Sequence, residues 1–239
     1  MKADNWSRQP EGEEFSSALH QRTEELYQVP DATPDENGIV ELSALVLRDI
    51  VVFPHMVSPI FVTPGSNLLA IQEAQFNFET MVALVQRDPD VEEPEPGDLL
   101  PIGVEIAVGR LLNMPDGNNS ALIQGRRRVE VLEFTQTESF YRVRVRILEE
   151  ATTVNRQIEA LMRTARDLFE RCVQLDRSLP DEAHLYSLNI QEPGWLADMV
   201  NTALSLPFKE RQNLLMMLDP IERLKRTNWL LAQELDVLQ

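Results

Sequence analysis

From Leu42 onward the apolar residues fall in short or alternating runs separated by proline and glycine, which is the pattern of strands in a β-rich domain. The runs predict strands over 41–47, 56–62, 81–86, 102–112, 120–124, 127–134 and 140–148. In the last of these, Tyr141, Val143, Val145 and Ile147 alternate with Arg142, Arg144 and Arg146, so one face is apolar and the other cationic. A helix over 66–78 interrupts the strands. The acidic, proline-rich stretch 88–98 reads as a solvated loop, and the Pro-Asp-Gly within 113–119 reads as a turn between strands.

After Ala151 the period changes from two to about 3.6, because Ile158, Leu161, Met162, Ala165, Leu168, Phe169 and Cys172 lie three and four residues apart. Further helices are predicted from Trp195 to Leu204, from Lys209 to Leu218 and from Pro220 onward. Asp219 is placed to cap the last helix, Pro220 to open it and Glu222 to close a capping box. Along it, Ile221, Leu224, Asn228, Leu231, Leu235 and Leu238 step by three and four, a heptad seam with one polar position. The seam is still running at Gln239, which points to a continuation beyond it; a packed terminal helix of a complete two-domain protein is the alternative.

The reading is therefore an α+β fold. A β-rich domain over 39–150, made of small twisted sheets or a pseudo-barrel with one helix, precedes an all-helical bundle over 151–239 that ends in a long coiled-coil-like helix. Residues 1–38 are rich in Glu, Asp, Gln, Pro and Ser without a sustained apolar period, and read as a disordered acidic tail with at most a transient helix around Phe15, Leu19 and Leu26.

Charge narrows the partners. The 239 residues carry 22 Lys and Arg against 39 Asp and Glu, a formal net charge of -17, which opposes binding to nucleic acid and to anionic lipid surfaces. No apolar run approaches the roughly 18 residues that cross a bilayer, and the first residues are acidic where a signal peptide is basic and then apolar. A cytoplasmic location is expected, and the single Cys172 fits a reducing compartment.

The inventory of reactive groups is thin. Lys2, Lys209 and Lys225 are the only lysines and none follows a glycine, so a phosphate-binding loop is absent and an activated Ser-Lys pair has no candidate. His20, His55 and His184 fall in the tail, a proline-flanked loop and an interhelical connection, without metal-ligand spacing. Cys172 lies on the apolar stripe of its helix, where a packed small hydrophobe is expected rather than a nucleophile. No catalytic, metal or cofactor residue is assigned.

The string LSALVLRDIVVFPHMVSPIFV over 42–62 resembles the opening of the Lon N-terminal, or substrate-binding, domain family, through Leu47, Arg48, Asp49, the apolar triplet Ile50 to Val52, Phe53, Pro54, Met56, Pro59 and Phe61. The segment with Gly103, Pro115, Asp116, Gly117, Gly125 and Arg127 continues the resemblance, and 204–239 is similar to the helices that lead toward the ATPase domain. Departures are His55, the acidic insert at 88–98 and the long acidic tail. Independently of the family, Pro59 suits a strand edge, Gly117 and Gly125 suit turns with positive φ, and Arg48 and Asp49 are candidates to pair with each other.

The resemblance implies a non-catalytic region that recognises unfolded or damaged polypeptides within a Lon hexamer, with ATP, Mg²⁺ and the peptidase in domains outside this chain. A stand-alone adaptor with one specific protein partner is the alternative. Leu214 to Leu218 are all apolar and would cover a whole helix circumference, so at least one is expected to be exposed or to lie in an interface. Met216 and Met217, then Met56 and Met114 in loops, are the candidate substrate contacts, since methionine is flexible and polarizable. Burial of that helix between domains or subunits is the competing reading. The arginines 126–128 and 142, 144 and 146 are expected to pair with carboxylates across strands.

Overall fold

The structure is a computed structural model that describes residues 24, 26–114, 117–150, 153–176 and 179–238. Its strands are β1 (Ile39–Leu47), β2 (Val57–Val62), β3 (Met81–Val85), β4 (Ile102–Val108), β5 (Leu112–Asn113), β6 (Asn119–Gln136) and β7 (Arg142–Ile147). Helix α1 (Ser66–Asn77) runs between β2 and β3. It makes the crossover that the parallel pair β1 and β3 requires, with Ala44 opposite Val82. The remaining strand pairs are antiparallel.

The strand order is β2-β6-β4-β3-β1-β7, and β7 pairs back onto β6. Strands β6, β4, β3, β1 and β7 thus form a closed ring, the pseudo-barrel of the α+β reading. What closes it is the 18-residue β6, which joins the two runs expected as separate strands. Its first half pairs with β2 and β4, and its second half with β7 across register shifts at Val131/Glu133 and Phe134/Gln136. Such bulges bend a strand and increase its twist, so one strand serves both sides of the ring.

Gly117 has the expected positive φ of 85°, whereas Gly125 does not. Gly125 lies inside β6, and its need is space: a Cβ there would stand 2.1 Å from the Phe53 carbonyl oxygen. Pro115 and Asp116 of the expected turn lie outside the described residues. Arg48 does not pair with Asp49 as expected; its Nε donates to the carbonyl of Pro89 and ties down the acidic loop.

The helical part comprises α2 (Arg156–Leu175), α3 (Asp181–Leu188), α4 (Pro193–Ala203), α5 (Phe208–Met216) and α6 (Pro220–Leu238). His184, assigned above to a connection, lies in α3. That helix is only eight residues long and leaves Leu185, Tyr186 and Leu188 exposed, so no apolar stripe marks it. Asp219 caps α6 by accepting from the amides of Ile221 (2.8 Å) and Glu222 (3.3 Å). The Glu222 carboxylate meets Lys225 at 2.7 Å.

The seam of α6 is used within the chain. Leu224, Leu231 and Leu235 are buried, but so are Arg223, Thr227 and Leu230, a stripe wider than a two-helix seam, and it packs on α2 and α4. Helix α5 stops at Met216, so Leu214 and Leu215 are buried, Met216 is half-buried and Leu218 is exposed in the connection. One apolar core runs through both parts, from Phe53 and Ile106 to Phe169 and Leu231.

Residues 26–38, placed with the tail in the sequence reading, are docked on the barrel. Leu26 is fully buried against Ala107 and Leu122, and the amide of Ala32 donates to Glu105 Oε1 at 2.7 Å. Arginine side chains give the reason: Arg126 Nη2 donates to the carbonyls of Leu26 and Val29, and Arg127 Nη2 to that of Ala32, which fixes a segment whose own apolar content is small. The rest of the expected tail, with Phe15, Leu19 and His20, lies outside the described residues.

Candidate functional site

Two features stand out: a buried charged seam where barrel meets helices, and an apolar outer face beside the edge strand. The seam is built on consecutive arginines of β6. Arg127 Nε meets the buried Glu105 at 2.7 Å. Arg128 reaches the helical part, with Nη1 and Nη2 at 2.6 and 2.8 Å from the two oxygens of Asp198 on α4, and Nη1 at 3.0 Å from Glu150. Its Nε donates to the Leu215 carbonyl at 3.1 Å.

Arg223 of α6 completes the group. Its Nη2 lies 2.6 and 2.7 Å from the Glu150 oxygens, and its Nε lies 3.0 Å from Asp198 Oδ1. The side chains of Arg128, Asp198 and Arg223 are at most 1% exposed, and Glu150 is 25% exposed. Two cations facing two anions avoid a net buried charge. Burial disfavours the Arg128 guanidinium, but Asp198 and then Glu150 override it and hold the group above its ordinary range. Gly194, in the first turn of α4, leaves room for the cluster, since a Cβ would stand 2.0 Å from Glu150 Oε2.

The expected strand-to-strand pairing holds for Arg142 with Glu41 (3.1 Å), Arg146 with Glu130 (3.0 Å) and Arg144 with Glu133. Arg128 instead pairs across the two halves. Asp198, Arg223 and Glu150 were not singled out from the sequence. Their signal was present in part: Asp198 is a lone charge inside the apolar stretch Trp195 to Val200.

Above the cluster opens a cleft of about 570 Å³ between Pro54 and His55 of the barrel and Glu192 to Trp195 at the start of α4. His55 adopts φ 64° and stacks on Trp195 at 4.4 Å between ring centres. Partial burial lowers its pKa below the usual 6.5, against the opposing pull of Asp198, Glu192 and Glu150. Cys172 is fully buried and its thiol is pushed up to about 11, chiefly by desolvation, so it is a packing residue. Among the described residues no group of three or more His, Cys, Asp or Glu side chains is placed to hold a metal ion.

The outer face is made by β2, whose one neighbour in the sheet is β6. Ile60 and Val62 point into the core, while Val57, Pro59 and Phe61 point out and are exposed, Phe61 to 73%. A strand with one solvated face ordinarily places polar residues there. Phe61 and Leu112 are both paired with Ser120, so β2, β6 and β5 bring the two side chains to one face about 10 Å apart. Pro59 is, as expected, on an edge strand.

The four candidate methionines are distributed between interior and surface. Met56 and Met216 are half-buried against the core, and the Met217 carbonyl accepts from Arg223 Nη1 beside the ion cluster. Met114 is 38% exposed, two residues after Leu112.

The fold is that of solved Lon N-terminal domains. The N-terminal domain of the Mycobacterium avium complex Lon protease matches with a TM-score of 0.65 at 22% identity, over 82% of this chain and 98% of that one. The Lon N-terminal domain protein from Xanthomonas campestris matches with a TM-score of 0.55 at 16% identity, over 78% and 96%. The sequence carries the assignment further, because the model of the ATP-dependent protease La (LON) substrate-binding domain matches residues 41–233, across barrel and helices alike. The chain belongs to the Lon substrate-binding domain family. It is 36% identical over 200 residues to Lon protease 2 of Herpetosiphon aurantiacus, covering 84% of this chain and 24% of that protein. It is 31% identical over 207 residues to the Lon protease of Escherichia coli, covering 86% and 26%. The chain thus spans about a quarter of the length of these relatives. No helix among the described residues is long and apolar enough to cross a membrane.

Proposed function

We propose that this chain recognises unfolded or damaged polypeptides and presents them to the ATPase and peptidase domains of a Lon-type protease, working as one subunit's share of a cytoplasmic hexamer. On this reading ATP and Mg²⁺ belong to domains outside these residues, and the chain itself takes no cofactor.

The observation that carries the reading is the outward row Val57, Pro59 and Phe61 with Leu112 beside it. Exposed contiguous apolar surface on a soluble domain marks an interaction site. Met114 adds an adaptable side chain to it. Met216, half-buried against the core, and Met217, whose carbonyl accepts from Arg223, rank behind Met114 as contacts. An unfolded chain offers what such a face needs, apolar side chains in extended backbone. Fluorescence anisotropy of labelled, reduced and carboxymethylated α-lactalbumin titrated with the chain tests the reading, with saturable binding expected for the unfolded form and none for the native, disulfide-intact form.

A further inference from the structure

A second chamber of about 280 Å³ adjoins the cleft behind the stacked pair His55 and Trp195. We infer that this chamber, walled by Tyr27, His55, Tyr186 and Trp195, takes one aromatic side chain of an unfolded polypeptide; this subsite rests on the recognition reading above.

The walls come from three separate parts of the fold: the docked segment 26–38, the loop before β2, and helices α3 and α4. Tyr186 stands edge-on to Trp195 at 6.4 Å and 70°, and Trp195 lies flat on His55 at 4.4 Å and 28°. Tyr27 and Tyr186 are 63% and 53% exposed, so two large rings stand open to solvent at the rim instead of packing in the core. Offset and edge-on ring contacts are the geometries aromatic pairs prefer, and an incoming ring would find both kinds of partner here.

Size and charge select the occupant. The volume falls just below the usual range of small-molecule pockets, roughly 300–1,000 Å³, and suits a single side chain rather than a folded element. An aromatic cage can also hold a cation. Here Arg126 already sits over the Tyr27 ring at 5.9 Å, and Arg126 and Arg127 line the chamber against one carboxylate, Asp31, so the balance of charge disfavours an incoming lysine or arginine. Arg126 Nη2 is held by the Leu26 carbonyl and Arg127 by Glu105 and the Ala32 carbonyl, while Arg126 Nε makes no hydrogen bond but lies 3.4 Å from Asp31, a carboxylate that lines the chamber and opposes a second one. The burial that lowers the His55 pKa keeps that wall neutral near pH 7. Gln124, 6% exposed, borders the chamber with an Oε1 that has no hydrogen-bond partner, and a turn of its amide presents one donor or one acceptor to the backbone beside the bound ring.

The test uses the whole chain, labelled with ¹⁵N, and the indole N–H signal of Trp195, assigned with Trp195→Phe. N-acetyl-L-phenylalaninamide is expected to shift that signal saturably, whereas N-acetyl-L-lysinamide and N-acetyl-L-alaninamide leave it in place. Tyr27→Ala and Tyr186→Ala, at exposed positions that leave the fold intact, are each expected to weaken the phenylalanine amide on the order of two- to tenfold, the worth of one ring pair. The absence of a saturable shift, an equal response to the lysine amide, or unchanged affinity in both tyrosine variants overturns the subsite. The recognition reading fails separately: if unfolded α-lactalbumin does not bind but the phenylalanine amide still titrates Trp195, the chamber stands and general recognition does not. Bound α-lactalbumin with a silent Trp195 overturns the chamber alone.

Discussion

Arg128 of β6 and Asp198 of α4 meet through both guanidinium nitrogens and both carboxylate oxygens, at 2.6 and 2.8 Å, with each side chain 1% exposed. The pair joins the barrel to the helices, and Arg223 and Glu150 complete its charge balance. Removing one member leaves an uncompensated buried charge, which costs about 3–5 kcal/mol. Asp198→Ala is therefore expected to lower the urea midpoint by that equivalent, while Arg144→Ala, whose partner Glu133 is half-exposed, changes stability by no more than about 1 kcal/mol. Equal effects of the two variants would show that the cluster does not hold the halves together.

Gly125 and Gly97 offer a contrast at constant chemistry. A Cβ at Gly125 would overlap the Phe53 carbonyl at 2.1 Å, and one at Gly97 meets nothing within 4 Å. Gly125→Ala is expected to destabilise by more than about 2 kcal/mol, because backbone has to move, whereas Gly97→Ala stays within about 0.5 kcal/mol. Thermal unfolding of the two variants checks this, and a tolerated Gly125→Ala would contradict the close crossing of the Phe53 segment over β6.

His55 links stability to pH. Its folded pKa is below 6.5, so the unfolded chain binds its proton more readily. The contribution is fully present above pH 6.5 and is lost as pH falls through the lower, folded value. His55→Phe keeps a ring against Trp195 but cannot titrate. The decline in stability from pH 7.5 to 5.5 should be shallower in this variant than in the parent, and an NMR titration should place the His55 midpoint below 6.5. A midpoint above 6.5 would reverse the sign.

The Cys172 thiol, buried with its pKa pushed up to about 11, exposes almost no thiolate at pH 8. Iodoacetamide should modify it only at the rate of unfolding, and fully in 6 M guanidinium chloride, a standard strong denaturant. Rapid alkylation of the folded chain would place this thiol at an accessible surface.

Most strands and helices were legible because their periods were strong; α3, with no apolar stripe, was not. Val143, Val145 and Ile147 are buried while Arg144 and Arg146 are exposed, as the alternation requires. A pseudo-barrel was one of the two sheet arrangements expected, but the pairing that closes it was not legible, because it depends on one long strand pairing with neighbours far apart in sequence, and no local pattern records that. Leu26 was hidden for a similar reason: arginines about a hundred residues away hold its segment. The early end of α5 was not legible: the pre-proline restriction falls on Asp219, whereas the helix already ends at Met216 with Met217 in extended backbone. Of the candidate contacts, Met114 is exposed two residues after Leu112, Met216 is half-buried against the core and the Met217 carbonyl accepts from Arg223, differences that spacing alone could not express. Phe61 had a readable signal in VSPIFV, a strand apolar on both faces although its edge is open.

The central claim is that this outer face captures unfolded polypeptide. Phe61→Glu combined with Leu112→Glu alters two exposed side chains that face Ser120 from either side and leaves the core untouched. In the anisotropy titration with unfolded α-lactalbumin, the double variant should bind at least about tenfold more weakly, the loss of two apolar contacts at about 1 kcal/mol each, with an unchanged circular dichroism spectrum. Binding as tight as that of the parent chain, by a folded variant, would contradict the account.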